Sequence, residues 1–135
     1  MRYLAFLFAV LIFGSPDIYS QSKPGNPNQA TLQFLLTSAA TDFHTHPPVP
    51  TRFREVRLGY VTTPNGEKQY MLCGKFLLEQ KGGKSLWTPF ATIKTSGYEQ
   101  YIGAQSELFC KRSSVIWDKV GDLSSSLQSR LDSIR

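Results

Sequence analysis

Residues 52–93 contain the pattern that decides the fold: FREVRLGYV (53–61), TPNGE (63–67), KQYMLCGKFLLE (68–79), QKGGKS (80–85) and LWTPFATI (86–93). Three runs of alternating or continuous apolar residues are separated by two stretches rich in turn-forming residues. Apolar runs joined by short turns of this composition are typical of antiparallel hairpins. The sequence therefore predicts an antiparallel meander of three to four strands, with the fourth strand between Tyr98 and Phe109.

The middle run has apolar side chains on both faces of the strand that it predicts. One face carries Tyr70, Leu72, Phe76 and Leu78, and the other carries Met71, Cys73 and Leu77. A strand with two apolar faces is expected to be central, with a layer covering each side. Within it, Gly74 indicates a bulge or a close approach of another backbone. In the third run, Pro89 cannot donate to a strand ladder and predicts an edge position or a bulge.

Amphipathic segments precede and follow the meander. The first has Leu32, Leu35, Leu36, Ala39 and Phe43 at helical spacing, after Asn26 as N-cap and Pro27 as first helical residue. The second, at residues 113–135, repeats Ile116, Val120, Leu123, Leu127 and Leu131. We therefore expect an α+β domain at 29–112 with an N-terminal helix packed on the sheet, followed by a C-terminal amphipathic helix at 113–135. That helix is expected to pack on its own sheet, with self-association through its apolar stripe as a short coiled coil, or docking in the groove of a partner, as the alternatives.

The first 20 residues have the layout of a secretory signal peptide. Arg2 precedes an unbroken apolar run from Tyr3 to Phe13, a break follows at Gly14, and Ser20 is the small residue of a cleavage site. The run is shorter than the roughly 20 residues that a membrane span requires, so no permanent span is expected. Residues 21–28 read as a flexible lead. We expect export to the periplasm or the medium.

Export decides how the two cysteines are interpreted. In an oxidising compartment an even pair usually forms a disulfide. Cys73 and Cys110 are therefore predicted to pair, and closing that loop would stabilise the fold by about 3–4 kcal/mol. The spacing differs from the short C-x-x-C of redox-active pairs.

The chain is basic, with 15 Lys and Arg against 10 Asp and Glu, a net charge of +5 and a pI near 9.4. A basic exported domain can bind an acidic glycan, a lipid phosphate or an acidic envelope protein, whereas nucleic acid is not expected because no recognised module accompanies the charge. The alternative is that the charge only maintains solubility. The candidate anion-binding residues are Arg52, Arg54, Arg57, Lys68, Lys75 and Lys84.

Two motifs suggest chemistry and fit it poorly. Asp42, His44 and His46 form D-x-H-x-H, which resembles the metal-binding strand of amidohydrolase barrels, but a helix precedes it and prolines follow. Such a barrel needs about 250 residues. The preferred interpretation is a helix end leading into a proline-rich connector, and no cofactor is predicted. Gly83, Lys84 and Ser85 match the end of a phosphate-binding loop, but Leu78 stands where its first glycine is required.

The strand pattern is similar to one found in small exported bacterial proteins and lipoproteins of unassigned function. The similarity lies in FREVRLGY, YMLCGKF and WTPFATI, within residues 51–93. In that pattern a helix precedes an F-R-x-V strand, a C-G strand and an aromatic-Phe strand. This chain departs from it in having Lys75, Phe76, Leu77 and Leu78 in place of an Asn-rich segment. The resemblance implies a compact α+β domain of the bacterial envelope and supplies no catalytic residues.

Two functions remain in competition. The first is an exported, non-enzymatic binding or assembly module of the bacterial cell envelope. The second is a small metal-dependent hydrolase using Asp42, His44 and His46. We favour the first because neither a nucleophile with its base nor a pair of acid and base carboxylates is evident in the sequence.

Overall fold

A computed structural model describes residues 27–79 and 82–135 of the chain. The predicted signal peptide, most of the lead and the Asn26 cap lie outside these residues. In chain order, the elements are α1 (Pro27–Thr45), β1 (Arg52–Thr62), β2 (Lys68–Leu78), β3 (Leu86–Lys94), β4 (Tyr98–Ile102), α2 (Ala104–Cys110), β5 (Ile116–Trp117) and α3 (Ser124–Asp132).

The strands form one antiparallel sheet in the order β4-β3-β2-β1-β5. The predicted α+β class and the meander are confirmed. The β1–β2 hairpin turns where Gly66 takes a φ of 87°, and the N–H of Thr63 donates to the carbonyl of Glu67 at 2.8 Å. As expected from its two apolar faces, β2 is the central strand. α1 begins at Pro27, the predicted first helical residue, so the domain starts two residues before the bound of 29 expected from the sequence.

The larger core lies between the sheet and the two longer helices. Its residues from α1 are the predicted stripe together with Ala40, and they pack on the aromatic rings of Phe53, Phe76 and Phe90. Phe43 of α1 has its ring centre 5.0–5.3 Å from those of all three phenylalanines. Burying each large apolar side chain here contributes about 1.5–3 kcal/mol. α1 is therefore fixed across the sheet by its own stripe.

The opposite face of the sheet has a smaller core around the disulfide. Cys73 of β2 is bonded to Cys110 at the end of α2, which confirms the predicted pairing. Met71, Ile93 and Val115 pack beside it. This core covers only the part of the face that lies nearest β4 and β5.

A bulge interrupts β1 between Arg54 and Arg57, where Glu55 and Val56 together face the single residue Gly74 of β2. A Cβ on Gly74 would lie 2.7 Å from Cγ2 and 3.0 Å from Cα of Val56. Those distances are too short for any side chain. The close approach predicted at this glycine is confirmed, and it holds the two strands together at the bulge.

Pro89 occupies a position with one strand neighbour. It pairs with Lys75 of β2, while β4 pairs with β3 only from Phe90 onward. The Pro89 carbonyl accepts from the N–H of Gly103 at 2.8 Å, on the β4 side. Because the N–H and C=O of one strand residue point the same way, the donor that proline lacks would face that side too. The predicted edge position is confirmed for this half of β3.

The prediction of a fourth strand up to Phe109 is wrong in its second half. The strand ends at Ile102, and Cys110 ends a short helix, α2, instead. The N–H of Ser106 and its hydroxyl both donate to the carbonyl of Gly103, which starts that helix. These local hydrogen bonds decide the structure of a segment whose apolar residues also suit a strand.

The predicted helix over 113–135 is also too long. Ile116 lies on β5 and Val120 in a loop, with Gly121 at a φ of 87°, and the helix begins at Ser124. Pairing with the edge of β1 wins over helix formation for these residues. Leu123, Leu127 and Leu131 are buried against α1 and the sheet. As expected by default, α3 packs on its own domain, where these three leucines are buried; Ile116 and Val120, the other members of the predicted self-association stripe, are exposed.

Candidate functional site: a cationic platform on the sheet

Two rows of side chains cross the face of the sheet that points away from α1. The strand registers align Arg52 with Leu77 and Trp87 in one row. They align Arg54 with Lys75 and Pro89 in the next row on the same face. Alternate residues of a strand share a face, and the intervening residues Phe53 and Phe76 point into the larger core. We call these six residues the cationic platform: Arg52, Arg54, Lys75, Leu77, Trp87 and Pro89.

Trp87 organises the two arginines of the platform. The guanidinium carbon of Arg54 lies 4.2 Å from the centre of the indole ring, and that of Arg52 lies 5.9 Å from it. A guanidinium stacked on an indole keeps its N–H groups directed outward, ready for a carboxylate or phosphate. Arg52 has no carboxylate partner among the described residues. The platform therefore presents three cations side by side, two of them beside one indole ring.

Glu55 lies beside the six platform residues and supplies a negative charge to their cations. Its Oε2 lies 3.4 Å from Nε of Arg54 and 3.2 Å from Nζ of Lys75. Glu55 sits in the bulge with a φ of 55°, a left-handed conformation that is unfavourable for a residue with a side chain. Backbone strain of this kind is concentrated at functional sites. One carboxylate against three cations leaves the platform with a net positive charge.

The platform continues into a groove beside the disulfide. Arg57, Lys75, Pro89, Cys110 and Trp117 are among the residues that line this groove of about 690 Å³. The guanidinium carbon of Arg57 lies 4.0 Å from the Trp117 ring, which repeats the arrangement at Trp87. We call this cavity the disulfide groove. The platform is thus open on the side of Arg52 and bounded by α2 on the other.

The structure gathers only part of the predicted anion-binding set. Arg52, Arg54 and Lys75 form the platform and Arg57 lies at its border, whereas Lys68 is paired with Thr62 at the far end of the hairpin. The Lys68 ammonium lies 4.6 Å from the ring of Tyr60 instead. Lys84 is exposed in the turn that leads into β3, beyond the end of the Arg52 row. The predicted set is therefore divided between the two ends of the sheet.

Trp87 is the platform residue that sequence reasoning missed. The signal was present as Arg-x-Arg in one predicted strand and an exposed-face tryptophan in another. Only the register of β1, β2 and β3 brings them together, and a shift by one residue would move each to the opposite face. The sequence therefore contained the residues of the platform but did not show that they lie side by side on the sheet.

The residues of the D-x-H-x-H motif lie at the end of α1 and in the turn after it. Asp42 Oδ1 accepts from the hydroxyl of Tyr98 at 2.9 Å, and Nδ1 of His46 lies 2.9 Å from the carbonyl oxygen of Asp42. Burial, and then the hydrogen bond to Asp42, raise the pKa of Tyr98. Residues two apart on a helix do not share a face, so His44 points elsewhere. Within residues 27–79 and 82–135, no group of three His, Cys, Asp or Glu side chains is placed to hold a metal ion.

Comparisons of the chain with protein families, with curated proteins and with solved structures found no match. Among the helices formed by residues 27–79 and 82–135, none has the length and hydrophobicity that crossing a membrane requires.

Proposed function

We propose that this chain is an exported, non-enzymatic binding or assembly module of the bacterial cell envelope, and that the cationic platform is the surface that binds its partner. The partner is anionic. The observation that carries the proposal is the stacking of Arg52 and Arg54 on the one ring of Trp87. Tryptophan and arginine are the residues that most often dominate binding energy at interfaces.

The cost of forming the platform supports a binding role. Two guanidinium groups near one ring repel each other, and Glu55 is held in a left-handed conformation beside them. Neither feature contributes to the larger core, which lies on the other face. Solubility alone would be served equally well by charges spread over the surface. A partner with several negative charges would relieve the repulsion and gain from the fixed geometry.

The Cys73–Cys110 disulfide supports the exported location. Disulfides persist in the periplasm and outside the cell, and they are rare in the cytosol. Both cysteines line the disulfide groove, and their bond joins the central strand to the helix that borders the platform. The same disulfide therefore supports the exported location and attaches the helix that borders the binding surface.

Binding can be tested with purified mature protein and defined polyanions, measured by calorimetry at low and at high salt. The polyanions are hexaglutamate, hexagalacturonate and vesicles that contain phosphatidylglycerol. We expect at least one to bind in low salt and to weaken as salt is raised, because exposed charges are screened. Arg52→Gln with Arg54→Gln should reduce that affinity about tenfold or more.

The control for this experiment removes the same charge at the other end of the molecule. Lys68→Gln with Lys94→Gln changes the net charge equally and leaves the platform intact, since both lysines lie at the far end of the sheet and each lies over an aromatic ring. Equal losses of affinity for the two double variants would mean that only the net charge matters. They would overturn the assignment of the platform as the binding surface. Absence of binding to all three polyanions in low salt would overturn the proposed function.

The exported location has its own test, in which the full chain is expressed in a bacterium and the envelope and cytosolic fractions are analysed by intact mass. We expect a product in the envelope fraction that begins at Gln21 and has no free thiol. A full-length product with two free thiols in the cytosol would refute the location.

A further inference from the structure

A second groove adjoins the platform on the side opposite the disulfide. It lies between the start of β1 and α3, has a volume of about 690 Å³, and is lined by Thr51, Arg52, Phe53, Ser124, Ser125, Gln128, Ser129, Asp132 and Arg135. We call it the serine groove. Residues three and four apart share one face of a helix, so α3 presents Ser125, Gln128 and Ser129 to it together. The volume is within the range of about 300–1,000 Å³ that is usual for small-ligand sites.

The polar groups of the serine groove divide into two kinds. Some are used within the fold: the hydroxyl of Ser124 accepts from the N–H of Val56 at 3.1 Å, and Arg135 donates to the carbonyl of Pro50 at 2.9 Å. By contrast, the hydroxyls of Ser125 and Ser129 have no hydrogen-bond partner among the described residues. These two hydroxyls are available as both donors and acceptors.

Arg52 joins the serine groove to the platform. It lines the groove, and its guanidinium also lies 5.9 Å from the Trp87 ring. A ligand that contacts Arg52 can therefore extend along the groove in one direction and over Arg54 and Lys75 in the other. Such a ligand meets hydroxyl groups at one end and cations at the other.

We propose that the serine groove and the cationic platform together bind an acidic oligosaccharide, a sugar chain that carries carboxylate or phosphate groups. This inference rests on the proposed function and names the class of its partner. Sugar hydroxyls need neutral donors and acceptors, which Ser125 and Ser129 supply together with the amide oxygen of Gln128, whose Nε2 donates to Asp132 at 3.0 Å. The acidic substituents need fixed cations, which Arg52 and Arg54 supply.

The two other anionic partners fit this surface less well. An acidic protein segment would be satisfied by the platform alone, because carboxylates gain little from serine hydroxyls when arginines are available. A lipid bilayer presents a broad surface, and it would not enter a groove between a strand and a helix. The serine groove is thus the feature that distinguishes a glycan from both.

The test uses a double variant, Ser125→Ala with Ser129→Ala. It is compared with a control variant that makes the same chemical change away from the groove. Ser113→Ala with Ser126→Ala serves as the control, since both serines are exposed and neither lines the groove. Calorimetry is run with hexagalacturonate, hexaglutamate, neutral maltohexaose and phosphatidylglycerol vesicles. Thermal unfolding of each variant establishes that it is folded.

We expect the groove variant to bind hexagalacturonate about 5- to 30-fold more weakly, as expected for two lost hydrogen bonds, and to bind hexaglutamate within about twofold of the parent. The control should bind both like the parent. Maltohexaose should bind far more weakly than hexagalacturonate, because it lacks the acidic groups that the arginines require.

Several results would overturn the proposal that the ligand is a glycan and leave the proposed function standing. Tighter binding of hexaglutamate than of hexagalacturonate, with no effect of the groove variant, would identify an acidic protein as the partner. Binding to phosphatidylglycerol vesicles alone would identify a lipid phosphate. If no anion bound at low salt, the proposed function would be refuted, and the proposal of a glycan ligand would be refuted with it.

Discussion

Val56 of β1 lies directly against Gly74 of β2, so that a Cβ placed on the glycine would meet the valine side chain at 2.7 Å and its Cα at 3.0 Å. The same valine uses its backbone to hold α3, because its carbonyl accepts from the N–H of Leu123 at 2.7 Å. The bulge therefore joins the platform, the central strand and the last helix at one point.

Gly74→Ala is expected to lower the free energy of unfolding by about 1–3 kcal/mol, because the Val56 backbone is part of the obstacle and cannot move aside as a side chain can. Urea unfolding followed by circular dichroism measures the change. Gly97→Ala is the control, since nothing lies within 4 Å of the Cβ that it would add. A change at Gly74 no larger than that at Gly97 would contradict the close approach.

Replacing both cysteines, Cys73→Ala with Cys110→Ala, is expected to lower the unfolding free energy by about 4 kcal/mol at 25 °C. The two residues are 37 positions apart, and opening a loop of that length restores chain entropy to the unfolded state. Chemical unfolding under non-reducing conditions measures it, with the reduced parent protein as a second comparison. Equal denaturant midpoints for the oxidised parent and the variant would be evidence against this stabilisation.

Asp122→Asn should make the stability less dependent on acid pH. Hydrogen bonds from the Ser124 hydroxyl, then from its N–H, and a smaller one from the N–H of Val56, hold the pKa of Asp122 below its ordinary value of 3.8. The Ser124 N–H lies 2.8 Å from Oδ1, at the start of α3. A charge in this place stabilises a helix by about 0.3–1 kcal/mol.

The sign of this effect follows from linkage. A carboxylate whose pKa is lowered on folding contributes stability above 3.8, and that stability is lost as the pH falls through the folded-state pKa. The parent should therefore exceed Asp122→Asn in unfolding free energy by a constant amount above a pH of about 5, with the difference shrinking below 3.8. A difference that does not change between neutral and acid pH would show that the charge of Asp122 is not involved.

Glu55→Gln should strengthen anion binding at the platform by a few fold, because it removes the carboxylate that competes for Arg54 and Lys75. Glu55→Gly should do the same and also raise the unfolding free energy by about 0.5–1 kcal/mol, since glycine adopts the positive φ without strain. Calorimetry with the bound polyanion and urea unfolding measure the two effects. Glu67→Gln, in the turn at the far end of the hairpin, is the matched control. Weaker binding by Glu55→Gln would show that the carboxylate positions the cations for the ligand.

The sequence predicted those elements in which local pattern and tertiary packing agree. The stripe from Leu32 to Phe43 has helical spacing and is buried, and the two apolar faces of β2 identified it as central. Gly74 could be recognised because a glycine inside an apolar strand usually marks a bulge or a close approach of two backbones. These features depend on the residue and its near neighbours alone.

Apart from α2, which local hydrogen bonds decide, the errors arose where residues distant in sequence determine the structure. Ile116 fits a helical repeat with Val120, but its backbone pairs with Tyr60 at the edge of β1. The candidate site has the same origin, since the alignment of Trp87 with Arg52 requires the register of three strands. The bulge at Glu55 shifts that register by one residue, and the β1 sequence alone does not reveal it.

Because Pro89 has no amide hydrogen, it affects how readily molecules of this protein associate at high concentration. Beside residues 86–89, β3 has no neighbouring strand on the β4 side within the described part of the chain. An exposed strand border of this kind invites the chains of other molecules to add to it and grow into fibrils. Proline at the point where β4 stops lacks the hydrogen that an added strand would need there, so we expect this border to resist such addition.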